Sequence, residues 1–153
     1  MTWQTERVRS ALCGTNPTVL ARLPEAFAVI GDVQFLPGYC VLLTDTPQVS
    51  RLSDLPRPRR SRYLEAVDRL ATAVELVCAR FDDQFTRVNI EILGNRDPYL
   101  HTHIWPRYRW EPDTYRRSPV WLYPREWWHD PEQALSSRHD VLRAAITGEL
   151  AGN

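Results

Sequence analysis

The sequence contains no lysine; its 19 basic residues are all arginine, set against 19 Asp and Glu. The resulting net charge of zero removes the electrostatic case for a nucleic-acid or polyacidic partner. The planar arginine fork suits phosphate and carboxylate, although a GC-rich coding bias gives the same composition and is the simpler cause. Cysteine is scarce. Cys13, Cys40 and Cys78 are too few and too scattered for a disulfide framework or a paired zinc spacing. They read as reduced, buried thiols, and so as those of a cytoplasmic protein. No apolar run approaches the roughly 20 residues of a membrane span, and Trp-Gln-Thr-Glu-Arg at residues 3–7 interrupts any leader-like start. Repeats and low-complexity tracts are absent. The chain of 153 residues is expected to form a single domain over residues 1–153. A chain of this size buries about 70% of its unfolded surface.

Histidine is scarce as well, yet two of the four lie two residues apart in the stretch 93–108, Leu-Gly-Asn-Arg-Asp-Pro-Tyr-Leu-His-Thr-His-Ile-Trp-Pro-Arg-Tyr. In an extended strand side chains alternate between faces. Tyr99, His101, His103 and Trp105 therefore share one face, and Leu100, Thr102 and Ile104 share the other, which suits a core. Gly94 permits a sharp turn or close approach of a ligand, Pro98 holds Asp97 extended, and Pro106 is expected to end regular pairing. Three readings of the paired histidines stand side by side. They are a half-buried polar pair, two ligands of a metal that lacks further ligands nearby, or a nucleophilic imidazole with a partner.

The register Gly94-Asn95-x-x-Pro98-x-Leu100-His101-x-His103-Ile104-x-Pro106-Arg107-Tyr108 resembles the signature of the histidine triad superfamily of nucleotide hydrolases and transferases. The likeness is strongest to the bacterial branch akin to dinucleoside polyphosphate hydrolases, and it extends more weakly over residues 18–108. The triad is incomplete, because Tyr99 occupies the position of its first histidine. The resemblance implies that His101 is the nucleophile and that His103 donates to an α-phosphate oxygen. It implies phosphate contacts from Asn95 and Arg96, and contacts to nucleotide from Asn89, Asp32 and Tyr99. Asp32 is the candidate for the ribose hydroxyls, with a turn cap as its structural alternative. It further implies a nucleotide substrate and a homodimer. No cofactor is required, beyond a divalent cation such as magnesium arriving with the substrate, and no dedicated metal site is expected. A transferase or phosphoramidase on the same site, and a catalytically weak nucleotide-binding or interaction module, are the alternatives.

The expected fold is α+β, an antiparallel sheet of about five strands with one long helix on it and an aromatic-rich C-terminal extension bearing short helices. The core is placed at about residues 14–110 and the extension at about 111–153. A short helix is read over residues 1–12, strands over 18–23, 27–32 and 39–43, a loop over 52–58, and the long helix over 59–81. The helix carries an apolar stripe of Leu64, Val67, Leu70, Ala71, Val74, Val77, Cys78 and Phe81. A strand over 85–93 points Val88, Ile90 and Ile92 one way and Asn89 and Glu91 the other, toward His101 and His103. Five of the six tryptophans fall between positions 105 and 128, among arginines. Such a segment either wraps the domain or forms a dimer interface, or stacks bases. Asp130-Pro131 starts a short helix. The run 137–140 caps a last helix whose core residues are Val141, Leu142, Ala145, Ile146 and Leu150. His129 and His139 are read as structural or solvated.

Overall fold

The computed structural model describes residues 2–152. It is an α+β fold with a single five-stranded antiparallel sheet, in the order β1-β2-β3-β5-β4. The strands are β1 (Val19–Leu23), β2 (Ala26–Ile30), β3 (Cys40–Thr44), β4 (Phe85–Glu91) and β5 (His101–Tyr108). The long helix is α2 (Arg57–Phe81), preceded by α1 (Arg7–Leu12) and followed by α3 (Asp113–Arg116), α4 (Arg125–His129) and α5 (Asp140–Gly152). All the residues of β2 and β3 except Thr44 are apolar, and every residue of both strands is buried.

Strand β5 lies between β3 and β4; His103 is paired on both edges, with Val41 and Glu91, whereas His101 is paired only with Leu43 of β3. Its even-numbered face, with Leu100, Thr102 and Ile104 all at 1% exposure or less, meets α2. There the Tyr63 hydroxyl is 2.8 Å from Oγ1 of Thr102, which satisfies both buried oxygens. The odd-numbered face receives the C-terminal segment.

Pro106 does not end the pairing: β5 runs on to Tyr108, with Pro106 opposite Val88. Amides alternate sides along an antiparallel strand. The Leu100 amide points to the β3 side, donating to Val49, and the Arg109 amide points to the β4 side, donating to Gln84. Pro106 shares Leu100's parity, so its missing donor faces the side where β3 has already ended.

The first helix begins at Arg7, and Met1 lies outside the described residues. The long helix begins two residues earlier than expected, with a proline in its first turn. Leu64 and Phe81 are 43% and 50% exposed and leave the expected core stripe, while Tyr63 joins it at 0%. Val141 is likewise exposed. Cys13 is exposed, whereas Cys40 and Cys78 are buried. Strand β2 stops at Ile30 and β4 at Glu91, each two residues short of expectation. Among the described residues no helix is long and apolar enough to cross a membrane.

Candidate active site

Tyr99, His101, His103 and Trp105 form a continuous row along β5. Successive ring centroids are 5.0, 4.9 and 5.9 Å apart. Nδ1 of His101 lies 2.8 Å from the Tyr99 carbonyl. A carbonyl only accepts, so Nδ1 carries the proton, and in the neutral ring Nε2 is left with the lone pair. Nδ1 of His103 lies 2.8 Å from the Tyr39 hydroxyl. Burial and the neighbouring His101 push the His103 pKa down to about 4, so this imidazole is neutral at pH 7. The Tyr39 ring stacks flat on Trp105 at 3.5 Å. That stack fixes the hydroxyl that orients His103. Burial raises the Tyr99 hydroxyl to about 12, so it too is uncharged.

Tyr39, Tyr99, His101 and His103 line a hollow of about 1030 Å³ that Asp32, Asn95 and Arg96 also border. The structure thus gathers six of the seven expected site residues around one space. Asn95 and Arg96 sit on the exposed 93–97 loop, which Gly94 turns with φ of 72°. Arg96 has no hydrogen bond or ion pair among the described residues. Asp32 is neither a turn cap nor a free carboxylate: both of its oxygens are gripped by Arg7. Gln34 behind it is buried and staples the turn, donating to the Gly31 and Tyr39 carbonyls and accepting from the Gly38 amide.

Asn89 lies elsewhere. It pairs with Trp105 rather than with a histidine, its oxygen accepts from Arg107 at 2.7 Å, and it lines a separate recess of about 630 Å³. Glu91 does pair with His103 across the ladder, and burial raises its pKa.

The far wall of the hollow comes from residues outside the expected site. The C-terminal segment returns to the sheet, where the Gln34 amide donates to Gln133 and the Leu135 amide to Asp32. Trp127, Trp128 and Tyr123 pack on Phe35, and Trp128 also meets Trp105 edge-on. The segment therefore wraps the domain. It also brings Trp121, Arg125 and His129 to the hollow; His129 is exposed to solvent, as expected, and borders that space. His139 does have a structural place, with Nδ1 3.0 Å from the Ser136 amide ahead of α5.

No protein-family model and no curated protein sequence matches the chain. Solved structures do. A histidine triad protein from Sinorhizobium meliloti 1021 superposes with a TM-score of 0.73 over 97% of this chain and 95% of that one, at 16% identity. A histidine triad protein from Marinobacter aquaeolei VT8 gives 0.70 over 88% of each chain at 18% identity. A hypothetical histidine triad nucleotide-binding protein from Sulfolobus tokodaii gives 0.64 over 95% and 91% at 10% identity.

The chain has the histidine triad fold. The segment carrying residues 121–129 is joined to the sheet by backbone bonds between residues 32–34 and 133–135.

Proposed function

We propose that this protein is a nucleotide hydrolase that cleaves a phosphoanhydride, or a related nucleoside 5′-phosphoryl bond, at the α-phosphate. The substrate is of the dinucleoside polyphosphate type, and the reaction passes through a nucleotidyl-His101 intermediate. The single observation that carries this reading is the 2.8 Å contact from His101 Nδ1 to the Tyr99 carbonyl, which places the proton of the neutral ring on Nδ1 and leaves the Nε2 lone pair free to attack beside a hollow. An anionic attacker would be repelled by phosphate oxygens, whereas a neutral imidazole is not. Support also comes from the fold shared with a protein called nucleotide-binding.

In this reading Nε2 of His101 attacks the α-phosphorus in line. The P–N bond forms as the P–O bond to the leaving phosphate breaks, and the leaving oxygen takes the electron pair. Tyr39 donates to Nδ1 of His103, so that Nε2–H of His103 donates to a non-bridging oxygen as its charge grows. Asn95, Arg96 and the loop amides hold outer phosphates. Water then attacks phosphorus, the P–N bond breaks, and the nucleoside monophosphate leaves with release of one proton. Tyr99 contacts the nucleotide, and Asp32 reaches the ribose while Arg7 holds its carboxylate. The proposal includes a cytoplasmic homodimer and a divalent cation that arrives with the substrate phosphates.

A second reading, a nucleotide-binding module without turnover, is favoured by Tyr99, whose neutral hydroxyl supplies no positive charge to a leaving group. Intact-protein mass spectrometry after rapid mixing with a dinucleoside polyphosphate separates the two. The hydrolase gains the mass of one nucleotidyl group, mapped to His101 and lost in His101→Ala. Tight binding with neither adduct nor product supports the module.

A further inference from the structure

Helix α4 presents Arg125 and His129 to the hollow at i and i+4 spacing, which places them on one helix face. Neither makes a hydrogen bond or ion pair among the described residues. In the separate 3₁₀ turn Val120–Leu122, Trp121 lines the same hollow, is 57% exposed and makes no ring contact among the described residues. Its neighbours behave differently. Tyr123 is 3% exposed and donates to Glu111 at 2.7 Å, and Trp127 packs on both Phe35 and Tyr123. The segment is thus rigidly seated, while three of its side chains, one aromatic and two able to donate to anions, are left uncommitted toward the cavity. The cavity, at about 1030 Å³, is at the upper end of small-molecule sites, which run from about 300 to 1000 Å³.

We propose that residues 121–129 form a second subsite that holds the leaving half of the substrate, with Arg125 and His129 on its phosphates and Trp121 stacked on its aromatic base. This rests on the hydrolase reading for the direction of transfer, but the binding does not require turnover. Arg125 supplies a planar fork for phosphate oxygens. The exposed indole supplies a platform that any aromatic base fits. The subsite commits the protein to substrates with an aromatic group on both sides of the phosphate chain. A small leaving group such as ammonia would leave Trp121 and Arg125 unused.

Calorimetric titration tests this, using a methylene-bridged, uncleavable dinucleoside tetraphosphate and the matching nucleoside monophosphate. The protein is expected to bind the tetraphosphate more tightly. Trp121→Ala is expected to weaken it by roughly 5- to 150-fold, the range for one stacked base. Arg125→Gln weakens it as well, with a shallower salt dependence. Both variants should keep the monophosphate affinity and the thermal midpoint of the parent, since neither side chain supports the fold. Equal affinity of the parent for the two ligands, or equal weakening of both ligands in the variants, overturns the subsite. Failure of the nucleotidyl adduct to form, with the tetraphosphate preference intact, removes the hydrolase reading and leaves the subsite standing. Binding of neither ligand removes both.

Discussion

Arg107 and Glu111 form an ion pair sealed from solvent, with side-chain exposures of 6% and 0%. Arg107 also donates to Asn89 and to the carbonyls of Tyr115, Arg116 and Ser118, and Glu111 accepts from the Tyr108 amide and the Tyr123 hydroxyl. One charged pair thus ties the end of β5 to the segment that walls the hollow. Glu111→Gln leaves a buried guanidinium without its counter-charge, and such losses cost about 3–5 kcal/mol. Urea unfolding should show that drop in midpoint with little change in slope. The double variant Arg107→Met/Glu111→Leu should recover part of it, because it removes both charges together.

Gly31 is the backbone surface against which Tyr39 lies. A Cβ there would sit 2.1 Å from Tyr39 Cδ1, so Gly31→Ala drives the ring off Trp105 and its hydroxyl away from His103. Overpacking of this kind costs about 1–3 kcal/mol. The larger expected effect is on turnover, because His103 loses its orienting partner. Stopped assays beside thermal melts will show whether activity falls further than stability does.

Two tyrosines touch the histidines in different ways, and the difference is measurable. Tyr39 acts through its hydroxyl, so Tyr39→Phe removes one hydrogen bond worth about 0.5–1.5 kcal/mol and should lower kcat/KM by up to about tenfold. Tyr99 orients His101 through its backbone carbonyl, which no side-chain substitution removes. Tyr99→Phe should therefore still form the His101 adduct at a rate close to that of the parent. Abolition of the adduct by Tyr99→Phe would show that the phenol, and not the carbonyl, prepares the nucleophile.

The row of rings on β5 was legible because alternation in a strand is a local rule, and the stripe on α2 because helical period is another. Tyr63 was passed over in favour of Leu64 because burying a phenol needs a partner, and its partner, Thr102, lies 39 positions away. Pro106 was misplaced because its effect depends on which neighbour its missing amide faces. Asn89 was on the expected face but had been claimed by Arg107. Arg125 and His129 show their i and i+4 spacing plainly. Long-range contacts, among them the backbone bonds between residues 32–34 and 133–135 and the Tyr123–Glu111 bond, bring them to the same hollow as the histidines, and no local pattern encodes such contacts.

The lowered pKa of His103 also sets a pH dependence of stability. Folded His103 titrates at about 4 and the unfolded side chain near 6.5. Between these values the unfolded chain binds a proton that the folded protein refuses, so stability falls as pH drops from about 6.5 toward 4. The gap between these two values corresponds to about 3–4 kcal/mol at most, lost at roughly 1.4 kcal/mol per pH unit. His103→Gln cannot titrate. Denaturation midpoints for the parent and this variant, taken from pH 7.5 to 4.5, should therefore converge as the pH falls, since the parent alone loses this contribution. Parallel curves would mean that His103 is protonated as readily in the folded protein as in the unfolded chain, and that the Tyr39–His103 pair does not exclude a proton at the pH of the reaction.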